Sequence, residues 1–343
     1  MTIEIDVRDF DPSIHDVYAQ LFPDDEDKSR ASLEWRFASN PHGPPKFVIA
    51  TVDGEVAGMI ALAPTRVTGL PDCGHVYQAI DGIVDPRFRG RDLFFHMGSA
   101  VNRPELHGAG LVWGFPNAKA APRWFGRLGW SNLGYAPLMM RPLRTGFLLS
   151  RIHPALGRVD LPLPPRRESV GSAYSDIGAV AADAGRLWAR IRKDYGVAVD
   201  RTSDWLRWRL SEKPGYEYRC VATGAADEGA SAFVATKIAR KHGRTICYVM
   251  EAFSAENDGV LLSRLLKSEL SHALSCGAEL ALAWCPPSAP SFGALSKAGF
   301  VRVPARLRPI ETHFGACALQ GACSAAAAPG ARWYISFLDS DTN

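Results

Sequence analysis

The chain has 343 residues, 47% of them apolar and 22% charged, with a formal net charge of +3 at pH 7. This is the composition of a globular protein able to bury one large or two medium cores. The charge is too small to indicate a nucleic-acid partner, and no apolar run approaches the roughly 18 residues of a membrane span. The acidic, alternating start at Thr2–Asp6 lacks the basic and apolar regions of a signal peptide, so a soluble cytoplasmic protein is expected.

Hydrophobic periodicity gives the elements in order. Phe47–Thr51 and Val56–Ala63 read as strands around the turn Asp53-Gly54. Val76–Val84 is a further strand, Asp92–Val101 a helix, Leu111–Phe115 a short strand and Pro122–Arg127 a second helix. Residues 141–175 include Leu161-Pro162-Leu163-Pro164-Pro165, prolines too dense for a helix or sheet interior, and are expected to link two domains. Arg219–Thr223, Phe233–Ile238 and Thr245–Phe253 are strand-like. Asp258–Ser275 has helical spacing, with Leu262, Leu266, Leu270 and Ala273 on one face. Leu280–Trp284 reads as a strand and Ser291–Ala298 as a helix. The small-residue tract Ser324–Gly330 is expected to be a loop ended by Pro329-Gly330, and Trp333–Leu338 a strand.

Three landmarks occur twice. Leu33-Glu34-Trp35-Arg36-Phe37 matches Leu206-Arg207-Trp208-Arg209-Leu210, Phe47–Thr51 matches Arg219–Thr223, and Leu128-Gly129-Trp130 matches Ala298-Gly299-Phe300. The offsets, 173, 172 and 170, are nearly constant, the signature of an internal repeat. The expected fold class is α/β (α+β): two related domains, each a mixed, mainly antiparallel sheet flanked by helices. The expected boundaries are 1–140, a linker at 141–175, and 176–343.

The seven cysteines form an odd set without CxxC spacing. Buried free thiols are expected rather than a disulfide frame or zinc site. His75, His96, His107 and His313 lack metal-ligand spacing and are expected to be solvent-facing or structural, so no metal site is expected.

Chemistry concentrates in Ile83-Val84-Asp85-Pro86-Arg87-Phe88-Arg89-Gly90-Arg91-Asp92-Leu93-Phe94. A strand ends, a short basic loop follows, and a helix begins. Successive backbone N–H groups and the helix dipole suit a pyrophosphate there, Gly90 permits close approach, and Arg87, Arg89 and Arg91 add charge.

This segment resembles the CoA signature of the GNAT N-acetyltransferase superfamily, in which a strand ending Val-x-Pro leads to an Arg/Gln-x-x-Gly-x-Gly/Ala loop opening a helix. Val84, Pro86 and Arg89 match it. Asp92 stands at the first signature glycine and Phe94 at the second small residue, and a carboxylate there repels a pyrophosphate unless it turns away. Trp113-Gly114-Phe115-Pro116-Asn117 and Phe125-Gly126-Arg127-Leu128-Gly129-Trp130 continue the resemblance. It implies that Gly82, Ile83, Val84, Arg89, Gly90, Arg91, Asp92, Leu93, Phe94 and Asn117 contact acetyl-CoA or another acyl-CoA. It also implies a V-shaped slot between the strands ending at Val84 and Phe115. Asn117 would bind the pantetheine arm, cap a helix, or do both.

The resemblance further implies acyl transfer to the primary amine of a small molecule, such as an amino sugar or amino acid derivative. Asp81 is the first candidate base, with a structural or ammonium-binding role as its alternative, and Glu251 on the matching strand is the second. Phe125 stands where many GNAT enzymes have a tyrosine acid, leaving Tyr135 or solvent to protonate the thiolate. The second half has Ser254-Ala255-Glu256-Asn257-Asp258-Gly259 where the first has its arginines. It is expected to shape the acceptor pocket without binding CoA. Two alternatives stay open: a non-catalytic GNAT pair acting as a binding or scaffold protein, and the same fold using a long-chain acyl donor or aminoacyl-tRNA.

Overall fold

The computed structural model describes residues 2–150, 152–166, 170, 173–224, 229–241, 243–255, 258–308 and 311–340. The chain forms two units that do not follow chain order: residues 1–136, 212–214 and 310–332, and residues 137–211, 215–309 and 333–343.

In the first unit, β1 (Ile3–Arg8), β2 (Lys46–Val52), β3 (Glu55–Thr65), β4 (His75–Val84) and β5 (Ala109–Gly114) lie side by side. The strand His313–Ala318 follows, then β6 (Ser131–Tyr135). Only β4 and β5 pair in parallel. Strand side chains alternate between faces, and both faces are covered. Phe47, Ile49, Met59 and Ala61 pack with Ile14 and Tyr18 of α1 (Ser13–Leu21). Val48, Ala50, Ile60 and Leu62 pack with Met97 and Val101 of α2 (Leu93–Val101). Burial on both faces explains why β2 and β3 read as nearly continuous apolar runs.

In the second unit the strands are β7 (Leu138–Pro142), β8 (Ala173–Tyr174), β9 (Arg219–Thr223), β10 (Ala232–Lys241), β11 (Arg244–Ser254), β12 (Leu280–Trp284) and β13 (Val301–Arg302). Their order across the sheet is β13-β7-β12-β11-β10-β9-β8, with only β11 and β12 parallel. This is the first unit's order again. In each sheet, the strand beside the outermost one on the β5 or β12 side comes from the other half of the chain: His313–Ala318 in the first, β7 in the second. Helices α3 (Ile177–Ile191), α4 (Ser203–Ser211) and α5 (Gly259–Ser275) belong to this unit. Asp258 caps α5, accepting from the amides of Val260 and Leu261 at 3.0 Å each, a favourable N-cap for a carboxylate.

Three expectations change. Ser324–Ala327 is a short helix, not a loop; alanine has the highest helix propensity, and Pro329-Gly330 stops it. Only Trp333–Tyr334 is strand, and Phe337–Asp339 turns into a 3-10 helix closed by a capping box between Ser336 and Asp339. Cys73 and Cys323 form a disulfide with Cα atoms 5.7 Å apart, so not every cysteine is a free thiol. Cys220, Cys247 and Cys285 are buried and free, and burial pushes their thiols up to about 12.

Candidate active site

The parallel pairing of β4 with β5 runs only from His75/Ala109 to Gln78/Trp113. Beyond it, residues 79–84 of β4 continue against β3 alone, so the two strands part. Gly114 sits at the parting point, where a Cβ would lie 2.9 Å from the Ala79 carbonyl oxygen. The last closed step of the pair therefore requires glycine. β4 also bulges here: Asp81 has φ +54°, and two residues of β4, Asp81 and Gly82, oppose Ile60 of β3. A bulge re-aims the strand and interrupts its ladder.

The basic loop leaves the end of this parting strand. Asp85 accepts from the Arg87 amide, and Pro86–Phe88 makes one 3-10 turn. Gly90 has φ +84°, with open space where a Cβ would stand, and α2 begins at Leu93. Among the described residues, the backbone amides of Gly90, Arg91, Asp92, Leu93 and Phe94 make no hydrogen bond. Such a run at a helix start is an anion-binding arrangement.

The charged side chains sort themselves. Asp92 turns away, paired with Arg127 at 2.9 and 3.2 Å. The hydrogen bond and charge of Arg127 hold the Asp92 carboxyl below the usual range. Asp92 does not cap α2 with its side chain. Arg87 is bound to Asp85 at 2.9 Å and lies near Glu55 at 3.4 Å, and its guanidinium lies over the Phe88 ring with that of Arg91. Arg89 is exposed at the loop. Phe94 folds inward against Trp124 and across Gly82 rather than into the loop. Leu93 is buried, and Ile83 and Val84 are partly buried at the strand end.

Asn117 follows β5. Its Oδ1 accepts from the amides of Lys119 and Ala120 at 3.0 Å each, which makes it a cap. It is exposed. The turn it opens carries Phe125, whose ring lies 5.9 Å from that of His313. Tyr135 also packs on His313, ring centroids 4.6 Å apart and planes tilted by 36°. Because Gly315 is in register with Gly114, His313 lies beyond the end of β5, on the edge of the sheet where β4 and β5 part. Its Nδ1 is buried without a partner among the described residues, and its Nε2 is 3.9 Å from Glu311. Sequence reasoning left His313 as a solvent-facing or structural residue, because no local pattern joins it to Phe125 or Tyr135.

Asp81 has a different environment from that of a free base. Its side chain is only 5% exposed. It is ion-paired with Lys28, lies 3.4 Å from Arg36, and accepts from the Tyr18 hydroxyl at 2.8 Å. Burial alone would raise its pKa, but the charges of Arg36 and Lys28 and the bonds from Lys28 and Tyr18 outweigh it and hold the carboxyl below the usual range. A carboxylate so stabilised has little affinity for a proton. Arg36 belongs to the repeated Trp-Arg signature; its counterpart Arg209 donates instead to the carbonyls of Leu338 and Ser340.

Glu251 is more enclosed still, with no exposed side-chain surface. It accepts from Arg201 and Ser336 at 3.0 Å each and from the Tyr334 hydroxyl. Arg201 also pairs with Asp339 at 2.6 Å. The second unit repeats the parting: β11 pairs with β12 only as far as Val249/Ala283. There, residues 334–339 touch both strands. Tyr334 meets Glu251 and Ala252, while Phe337 stacks on Trp284 at 4.7 Å and meets Tyr248 edge-on at 5.4 Å. Glu256 and Asn257, in the loop after β11, lie outside the described residues.

Comparison with solved structures finds the same fold at low identity. A conserved protein from Enterococcus faecalis, described as a probable N-acyltransferase, aligns with TM-score 0.61 and 12% identity over 93% of this chain and 73% of its own. A GCN5-related N-acetyltransferase from Anabaena variabilis gives TM-score 0.61 and 10% identity over 95% and 75%. The Saccharomyces cerevisiae N-myristoyltransferase, solved with bound myristoyl-CoA, gives TM-score 0.57 and 11% identity over 91% and 82%. No family model matches the chain, and no curated protein matches it in sequence. The chain has the tandem GNAT fold.

Proposed function

We propose that the first unit binds an acyl-CoA and transfers its acyl group to the primary amine of a small molecule. The observation that carries this reading is the parting of β4 from β5 beside a loop with five unengaged amides. The diphosphate of CoA fits the amides of residues 90–94 with Arg89, and the pantetheine arm fits along residues 82–84 with Asn117 at the facing strand end. Asp92 and Arg87 do not oppose this fit, since each is satisfied elsewhere.

Transfer needs a neutral amine to attack the thioester carbon. The N–C bond forms, the C–S bond breaks, and the departing sulfur takes a proton. Neither Asp81 nor Glu251 is poised to take the amine's proton, so we leave that step to water. For the proton returned to sulfur we assign the His313–Tyr135 pair, which stands against Phe125 and supplies the polar hydrogens that Phe125 lacks. The fold relatives named above include acetyl- and myristoyltransferases, so the acyl length is open.

Calorimetry with acetyl-CoA and with a long-chain acyl-CoA tests the reading, followed by thiol-release assays over amino sugars, amino acids and polyamines. Micromolar binding and amine-dependent thiol release are expected. Phe125 in the tyrosine position favours the non-catalytic alternative, and undetectable binding at millimolar CoA would count for it.

A further inference from the structure

Five of the ten large apolar side chains exposed among the described residues fall in one short stretch of the second unit: Leu148, Ile152, Leu156, Val159 and Leu161. Ile152 is 76% exposed and Leu161 61%. This is not slack chain. The stretch is a loop formed by the helix Thr145–Leu149 and the turn Pro154–Arg158, closed at its neck. The Thr145 amide donates to the Leu161 carbonyl at 2.8 Å, the Leu161 amide to the Thr145 hydroxyl at 2.8 Å, and that hydroxyl to the Val159 carbonyl at 2.9 Å. Arg144 pairs with Asp160 at 2.6 Å. Phe147 is buried at the base, with the Arg244 guanidinium over its ring. A loop pinned this way holds its aliphatic side chains toward solvent, an arrangement that costs free energy unless something covers them.

The charge around these side chains indicates the cover. The described residues of 144–166 include Arg144, Arg158 and Arg166 and one carboxylate, Asp160, which Arg144 already neutralises. Arg158 and Arg166 are exposed, Arg158 in the chain between Leu156 and Val159. A second copy docked through this patch would set the same arginines against each other, since a two-fold interface meets itself. Aliphatic tips flanked by arginine match an anionic bilayer surface, where the tips enter the acyl boundary and the guanidinium groups meet headgroup phosphates. The geometry points to residues 145–161 as a docking loop for anionic membrane surfaces.

The test is sedimentation of the full chain with phosphatidylcholine vesicles, with and without phosphatidylglycerol, at low and high salt. Binding is expected only to the phosphatidylglycerol vesicles, weakening with salt. Ile152→Ser with Leu161→Ser should reduce it about tenfold or more, and Arg158→Glu with Arg166→Glu should abolish the preference for anionic lipid. Both double variants change exposed side chains, so circular dichroism and CoA binding should match wild type. Equal partition onto neutral vesicles, no partition at low salt, or wild-type binding by the serine variant would each overturn the inference. So would a dimer, or a complex with an acidic protein, that the serine variant dissolves while vesicles remain unbound.

Discussion

Replacing Asp81 with asparagine separates a structural role from a catalytic one. Wild-type Asp81 balances two buried cations, Lys28 and Arg36, whose side chains are 9% and 8% exposed. Asparagine keeps the shape but removes the counter-charge that Asp81 gives those cations. Breaking a buried ion pair by removing one partner costs about 3–5 kcal/mol. That is a large share of the 5–15 kcal/mol typical of a folded domain. With a urea slope of about 2 kcal/mol per molar, the midpoint of the first unit's transition should fall by roughly 2 M. Activity measured below that transition should fall only as far as the residual fold is disturbed. The pH dependence has a definite sign. The folded pKa lies below the unfolded value of about 4, so the stabilisation is complete above that value and is lost as pH falls through the folded pKa. The variant should lose this acid sensitivity. An unchanged urea midpoint with a collapse in kcat would refute the structural reading and return Asp81 to the role of base.

Arg89→Ala should weaken CoA binding about tenfold or more by calorimetry, because it removes a charge-assisted contact. Arg87→Ala should change it little, since Asp85 and Glu55 already hold that guanidinium. His313→Asn should lower kcat about a hundredfold at constant KM, the usual scale of a lost proton donor; equal activity would leave the proton to solvent. Reduction of Cys73–Cys323, or Cys73→Ser, should lower stability by about 3–5 kcal/mol, as a lower melting temperature. The binding stoichiometry should be one CoA per chain, and two would refute the assignment of a single functional slot.

The sheet elements were legible because their signal is local. Leu280–Trp284 is bounded by turn residues, and Asp258 marks the start of a long amphipathic helix. The repeat was legible for the same reason. The exchange of strands was not: β7 and His313–Ala318 have the same periodicity whichever sheet they join, and only long-range register decides. The loop at Gly90 was readable because glycine and arginine announce their chemistry in sequence. The partners that tune it were not, since Arg127 lies 35 residues from Asp92 and Lys28 lies 53 from Asp81. The disulfide spans 250 residues, beyond any spacing rule.

The two units begin from one sheet order and one parting of parallel strands, so the loss of a binding loop cannot alone explain their divergence. What distinguishes the second unit is its filling. Tyr334, Ser336 and Phe337 bond or stack with Glu251, Ala252, Tyr248 and Trp284 where β11 leaves β12. The charge of Glu251 is met by Arg201, which Asp339 shares. In the first unit the matching carboxylate, Asp81, draws its cations from Lys28 and Arg36 on the segment between α1 and β2. The same need, a counter-charge for a buried carboxylate on the parting strand, is met in both units from the matching segment: by Lys28 and Arg36 in the first and by Arg201, 173 residues after Lys28, in the second. In the second unit Arg201 is also held by Asp339, whose segment fills the slot with Tyr334 and Phe337. In the first unit the basic loop and its amides stand beside the parted strands instead.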